Sequence, residues 1–213
     1  MAIVELFQKV NSEDLYNNIG KNILVFRKEK QLTQLQIAQK LNVTAQQVQK
    51  YENGNGQMYV HTLIDISKIL GTSVKKMLDK GNLVSNVNKI NVNVGFSSNS
   101  IIEIFKKIDA PELYVNIGKN ILFFRKKINL TQLQIAKKLN VTPQQVQKYE
   151  NGKGSMYVHT LIDIAGILSI SIDQLLDKDA SVATGSIKLS QKSGMRDSGK
   201  TPDEMLNIDK TKK

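Results

Sequence analysis

Apolar residues recur along this chain at intervals of three and four, the spacing that lines one face of a helix. Ile19, Ile23 and Phe26 form one stripe, and Ile37, Ala38 and Leu41 a second. Val48 and Tyr51 belong to a third, Leu63, Ile66 and Leu70 to a fourth, and Val74, Met77 and Leu78 to a fifth. Polar residues between the stripes supply start and stop signals. Ser12 or Asp14 starts the first helix. Thr33 has Gln36 three residues later, the spacing of a capping box, and Asn42 ends that helix because asparagine tolerates a left-handed backbone. Thr44, with Gln47 completing a second capping box, starts a third helix that stops at Asn53-Gly54. The fourth and fifth helices cover about 61–70 and 73–79.

The pattern is then written a second time. Residues 16–80 align with 114–178 without a gap, and 48 of the 65 positions are identical. LTQLQIA occupies 32–38 and 130–136, QQVQKYENG 46–54 and 144–152, and MYVHTLIDI 58–66 and 156–164. In the second copy the first helix begins at Asp109-Ala110-Pro111, with proline in the first turn, and the third begins with Pro143 at N1. Two copies of so long a unit make two small domains, not a solenoid. The reading is an all-α chain: five helices in 12–80, a linker over 81–99, five more in 110–178 and a disordered tail over 179–213. IVELFQKV (3–10) and IIEIFKKI (101–108) also correspond, as short amphipathic helices upstream of each domain (2–11 and 100–109). They pack on their own domain or mediate dimerisation; the sequence is compatible with both. Within the spacer, Ile90, Val92, Val94 and Phe96 alternate with Asn and Gly, so a short strand and an extended linker both fit. The tail is rich in Ser, Lys, Gly and Asp and poor in large apolar residues, a composition that predicts disorder.

Only Asn42 and Val43 separate the end of the second helix from Thr44. Two helices joined so tightly cross closely, and Ala38 on the inner face lets them approach. This is a helix-turn-helix motif, whose second helix is the one offered to a DNA major groove. Residues 19–54, IGKNILVFRKEKQLTQLQIAQKLNVTAQQVQKYENG, resemble the phage-repressor (Cro/cI, Xre) helix-turn-helix family, as do residues 117–152. The resemblance covers about 60 residues of each copy and implies a five-helix domain of bacterial and phage transcriptional regulators. Three departures stand out: Asn42 and Asn140 replace the usual turn glycine, Tyr59 and Tyr157 stand before the fourth helix, and Leu35 and Leu133 occupy a position that is often acidic.

Carried over residue by residue, the resemblance implies the following DNA contacts. Gln34 and Gln132 open the second helix, where the family's glutamine reaches a phosphate and braces the recognition helix. Thr44, Ala45, Gln46, Gln47 and Lys50 lie on the groove side of the third helix, and Asn53 sits near the backbone. The second copy offers Thr142, Pro143, Gln144, Gln145, Lys148 and Asn151, with Lys153 where the first has Asn55. Glutamine pairs two-pronged with adenine and lysine donates to guanine. Gln49 faces partly away. Lys21, Arg27 and Lys28 are phosphate ligands or a solvated face. Tyr51 and Tyr149 read as core.

Charge agrees with an acidic polymer as partner. Thirty Lys and Arg oppose 19 Asp and Glu, a net +11. Cysteine is absent, which removes disulfides, thiolate metal sites and cysteine nucleophiles. His61 and Asp65 are four apart, but two ligands make no metal site, so they read as surface. No cofactor, catalytic group or metal site is expected, nor a membrane segment or signal peptide. The expected place is the bacterial cytoplasm, at the nucleoid. The reading is a sequence-specific regulator, a repressor in kind, with two near-identical heads on repeated or palindromic half-sites. As a flexible coil, the spacer would span roughly 24 Å. Two other readings remain: an antitoxin whose tail 179–213 holds a toxin, and a charge-driven nucleoid or RNA-binding protein. A homodimer fits any of them.

Overall fold

The pattern of apolar stripes is realised as helix throughout the described part of the chain, residues 7–80 and 106–178 of a computed structural model. The first copy consists of α1 (Ser12–Glu29), α2 (Gln34–Leu41), α3 (Ala45–Glu52), α4 (Val60–Ile69) and α5 (Val74–Leu78). The second repeats it as α6 (Ala110–Lys127), α7 (Gln132–Leu139), α8 (Pro143–Glu150), α9 (Val158–Leu168) and α10 (Ile172–Leu176). No strand occurs among the described residues; one isolated antiparallel bridge pairs Tyr59 with Tyr157. The strand-like stretch at 90–96 and the tail 179–213 lie outside the described residues.

The caps follow the sequence with two exceptions. α1 is capped by Asn11, whose side chain accepts from Glu13 N and Asp14 N, so neither Ser12 nor Asp14 is the cap. Thr33 and Gln36 form the expected capping box, as do Thr131 and Gln134. Thr44 caps α3 through Gln47 N, but Gln47 does not return the bond, so only half of the second capping box forms. Asn42 and Asn140 take φ 55°, the left-handed conformation that a turn glycine would otherwise supply.

In each copy α1 lies across α3 and α5. Ile19, Ile23, Ile37, Val48 and Ile66 are fully buried between them. Gly20 permits the closest approach. A Cβ there would stand 2.6 Å from the Tyr51 carbonyl oxygen, so any other residue pushes α1 off the end of α3. Buried Asn22 donates to the Met77 carbonyl (2.9 Å), satisfying the C-terminal end of the one-turn α5.

The two copies pack against each other, and the hydrogen bonds that join them among the described residues recur with the copies exchanged. Val60 N–H donates to Met156 O and Val158 N–H to Met58 O, both at 2.9 Å. The Tyr16 hydroxyl meets His159 Nδ1 and the Tyr114 hydroxyl meets His61 Nδ1, both at 3.0 Å. The Tyr59 and Tyr157 rings stack at 4.4 Å with their hydroxyls 3.1 Å apart. Val158 is buried in the first copy's core and Val60 in the second's. Such reciprocity is the signature of an isologous interface, here folded into one chain.

The upstream segments take part in it. Their described portions, 7–11 and 106–109, carry no helix, where short amphipathic helices were expected; 2–6 and 100–105 lie outside the described residues. Each crosses to the other copy: Val10 N–H donates to Asp163 Oδ1 and Ile108 N–H to Asp65 Oδ1, both at 2.9 Å. The surface reading of His61 and Asp65 is therefore corrected. Asp65 is fully buried, and His61 is half-buried against the other copy.

These histidines make the interface sensitive to acid. Burial, followed by the neighbouring Lys107 and Lys9, holds His61 and His159 below their ordinary value of 6.5, although Asp65 and Asp163 pull the other way. As pH falls through 6.5, the unfolded chain takes up protons that the folded interface still refuses. Stability is therefore complete above that pH and declines below it, levelling off beneath the lowered folded value. Thermal unfolding at pH 7.5 and 5.5 is expected to give the lower midpoint in acid. The double variant His61→Gln, His159→Gln is expected to shrink that difference. An equal difference in the variant would place the acid sensitivity elsewhere.

Candidate nucleic-acid interface

The proposed reading head is α3, and its copy α8. Val48 and Glu52 point inward and hold the helix. Gln46, Gln49, Lys50 and Asn53, at spacings of three and four, are exposed together along the opposite face, with Thr44 at its start. Ala45 and Gln47 are half-buried at its edge. Gln144, Gln147, Lys148, Asn151 and Thr142 repeat the exposed row in α8, with Pro143 and Gln145 at the edge and Lys153 exposed beyond it. Gln49 is thus on the outward face and not partly away from it, and Gln147 takes the same place in α8. Gln47 is the weaker candidate for a base contact, since it is half-buried at the edge of that face.

Behind this face lies a polar brace that the sequence did not announce. Glu52, with a side chain 3% exposed, accepts from Arg27 through both carboxylate oxygens, Nη2 lying 3.0 Å away. Gln34 Nε2 donates to the same carboxylate at 2.7 Å. Arg27 is therefore neither a phosphate ligand nor a solvated charge. Its remaining fork donates to Leu32 O at 2.9 Å, just before α2. The carboxylate thus ties the end of α1 and the start of α2 to the last residue of α3. Gln34 makes this contact from the first position of α2. Glu150, Arg125 and Gln132 repeat the arrangement. The signal was available in the sequence as an acidic residue on the inward face of a helix, next to Tyr51, which a globular domain tolerates only when paired.

Lys21 and Lys28 are exposed. Leu35 (57%) and Leu133 (51%) are also exposed, on the second residue of α2 and α7, beside the bracing glutamines. Among the described residues no group of three or more His, Asp or Glu could hold a metal ion. No helix among them is long and apolar enough to cross a membrane.

A helix-turn-helix family model matches residues 24–76 and again 121–175, together just over half of the chain. The chain belongs to the Cro/cI-type (Xre) helix-turn-helix family. Both matches span α2, the turn and α3 or their second-copy equivalents, so the family carries its motif here twice. A curated relative, the cryptic phage CTXphi transcriptional repressor RstR of Vibrio cholerae serotype O1, is 43% identical over 51 residues. Those residues are 24% of this chain and 46% of that protein, so the chain spans less than half of the relative's length. No solved structure matches the chain. The family is one of DNA-binding transcriptional regulators.

Proposed function

We propose that this helix-turn-helix protein is a repressor that reads an inverted repeat with a single chain, α3 entering one major groove and α8 the next. The reciprocal pairing of the two copies carries this reading. A two-fold relation between heads matches an inverted repeat, whereas a direct repeat would need heads related by translation. Family dimers bind half-sites one helical turn apart, about 34–36 Å. In this reading the packing of the copies, and not the spacer's coil length, governs the separation of the heads. Gln46, Gln49 and Lys50 in α3, and Gln144, Gln147 and Lys148 in α8, are assigned to base edges. Thr44, Ala45, Gln47 and Asn53, with Thr142, Pro143, Gln145, Asn151 and Lys153, line the helix ends and edges and are assigned to the sugar–phosphate backbone and to groove fit. Gln34 and Gln132 hold the heads in place.

Selection from random duplex DNA at near-physiological salt tests this reading. The expected product is two similar half-sites, inverted, at one spacing. Direct repeats or scattered single sites would contradict it. Tight binding with no motif would favour charge-driven architectural binding, and the absence of binding, with a protein retained by the tail, would favour the antitoxin.

The heads are not equal in charge. Residues 27–55 hold five basic and two acidic side chains, whereas 125–153 hold seven and one. Exposed Lys127, Lys137 and Lys153 stand where the first copy has Glu29, Gln39 and Asn55. Giving the second head those three residues is expected to flatten the salt dependence of binding by up to about 2.7 in log–log slope, at 0.9 per lost phosphate contact. An unchanged slope would show that these lysines lie away from DNA.

A further inference from the structure

The crossing segments end at an informative place. Lys9 Nζ donates to Leu139 O at 2.8 Å, and Lys107 Nζ to Leu41 O at 2.9 Å. Leu41 and Leu139 are the last residues of α2 and α7, and their carbonyls are among those a helix end leaves without an internal partner. A lysine suits that end, because its charge opposes the negative pole of the helix. Three residues further on stand Thr44 and Thr142, the caps of the two proposed recognition helices. One residue after the lysine, the backbone N–H of Val10 or Ile108 is held by a buried aspartate on the other copy's fourth helix. Each segment is thus fastened at two points to the opposite copy and runs directly into its own first helix. The first has a further anchor. Phe7 packs against the second copy's core, 5.8 Å beneath Lys138 Nζ and against Gly166.

We propose that residues 7–10 and 106–108 are crossed struts, and that Lys9 and Lys107 are positioning residues which fix the separation of the two recognition helices by holding the turn of the opposite helix-turn-helix. The inference rests on the two-headed reading above. A shift of one copy relative to the other pulls on the end of α2 or α7, so a change of half-site spacing has to break a strut. The lysines make their contact in trans and do not need to touch DNA. Their role is selectivity for spacing, distinct from affinity for a half-site.

The test uses the full chain with Lys9→Met and Lys107→Met, which keep the aliphatic stem and remove the ammonium. The probes are duplexes carrying the selected half-site once, or twice in inverted orientation with the centre lengthened or shortened in single base-pair steps. Wild-type protein is expected to prefer one spacing sharply. In the double variant the ratio between the best spacing and its neighbours is expected to fall by about tenfold, the worth of one charge-assisted bond. Binding to the single half-site stays unchanged, and Lys9→Arg with Lys107→Arg restores the profile. A lysine that merely stabilised the fold would lower the unfolding midpoint and leave the spacing profile intact, and that result overturns the proposal. If the double variant fails to fold, each single variant is expected to show a partial loss, and an intact profile in both singles overturns it equally. If selection yields no half-site at all, the two-headed reading fails and the strut function with it. A motif together with an unchanged profile removes the struts alone.

Discussion

Replacing Glu52 with alanine is expected to lower the stability of the chain by about 3–5 kcal/mol, the usual consequence of removing one partner from a buried ion pair. The size follows from what is left behind. The Arg27 side chain is 14% exposed and has no room to turn fully to water, while Gln34 loses the acceptor of its 2.7 Å bond. Chemical denaturation of the full chain checks the figure. The joint change Arg27→Met, Glu52→Leu is expected to recover most of the loss, since it removes both charges and refills the space with apolar groups. A loss below about 1 kcal/mol would mean that the pair behaves as an exposed surface bridge. Glu150→Ala tests the same brace in the second copy, where Arg125 and Gln132 take the equivalent places.

Removing both lysines proposed to read bases, with Lys50→Ala and Lys148→Ala, is expected to weaken binding to the selected operator by about 2–6 kcal/mol, at 1–3 kcal/mol for each base contact. Both residues are exposed on the last turn of their helices, so the change leaves the fold untouched. The two single variants discriminate more finely than the double. If one chain uses both heads, each single variant costs about half of the total in free energy, and discrimination relaxes at the base that lysine reads. If one of them costs nothing, only one head is reading DNA. Titration of a labelled operator by fluorescence anisotropy, at a fixed stated salt, gives both numbers.

The division between what could and could not be read from the sequence follows the range of the interactions. Helices α2 and α3, their threonine caps and the asparagine at their turn are local features, set by residues within four positions of one another. Periodicity and capping chemistry are therefore enough to find them. The duplication was legible by self-comparison alone. What escaped were contacts between residues that the chain separates widely. His61 and Asp65 read as surface because their hydrogen-bond partners lie in the other copy: Tyr114 meets His61, and Ile108 N–H donates to Asp65. The upstream segments carry an amphipathic pattern that suits a helix, yet residues 7–10 run without one, because the backbone of Val10 finds its partner in Asp163. Arg27 looked like one more solvated cation on a basic helix, and only the fold of α1 over α3 brings it to Glu52. In the reading head, the exposed row of Gln46, Gln49, Lys50 and Asn53 was implicit in helical spacing. The half-buried place of Gln47 was not, since it depends on how α3 packs against the rest of its copy.

In the proposed function one chain holds both heads of a repressor in fixed relation. The most direct test is the mass of the complex between full-length protein and a duplex carrying both selected half-sites, measured by native mass spectrometry at low protein excess. One 23.9 kDa chain per duplex is expected, with no second chain added as the concentration rises through the binding range. Two chains per duplex, each contributing one head, would contradict it.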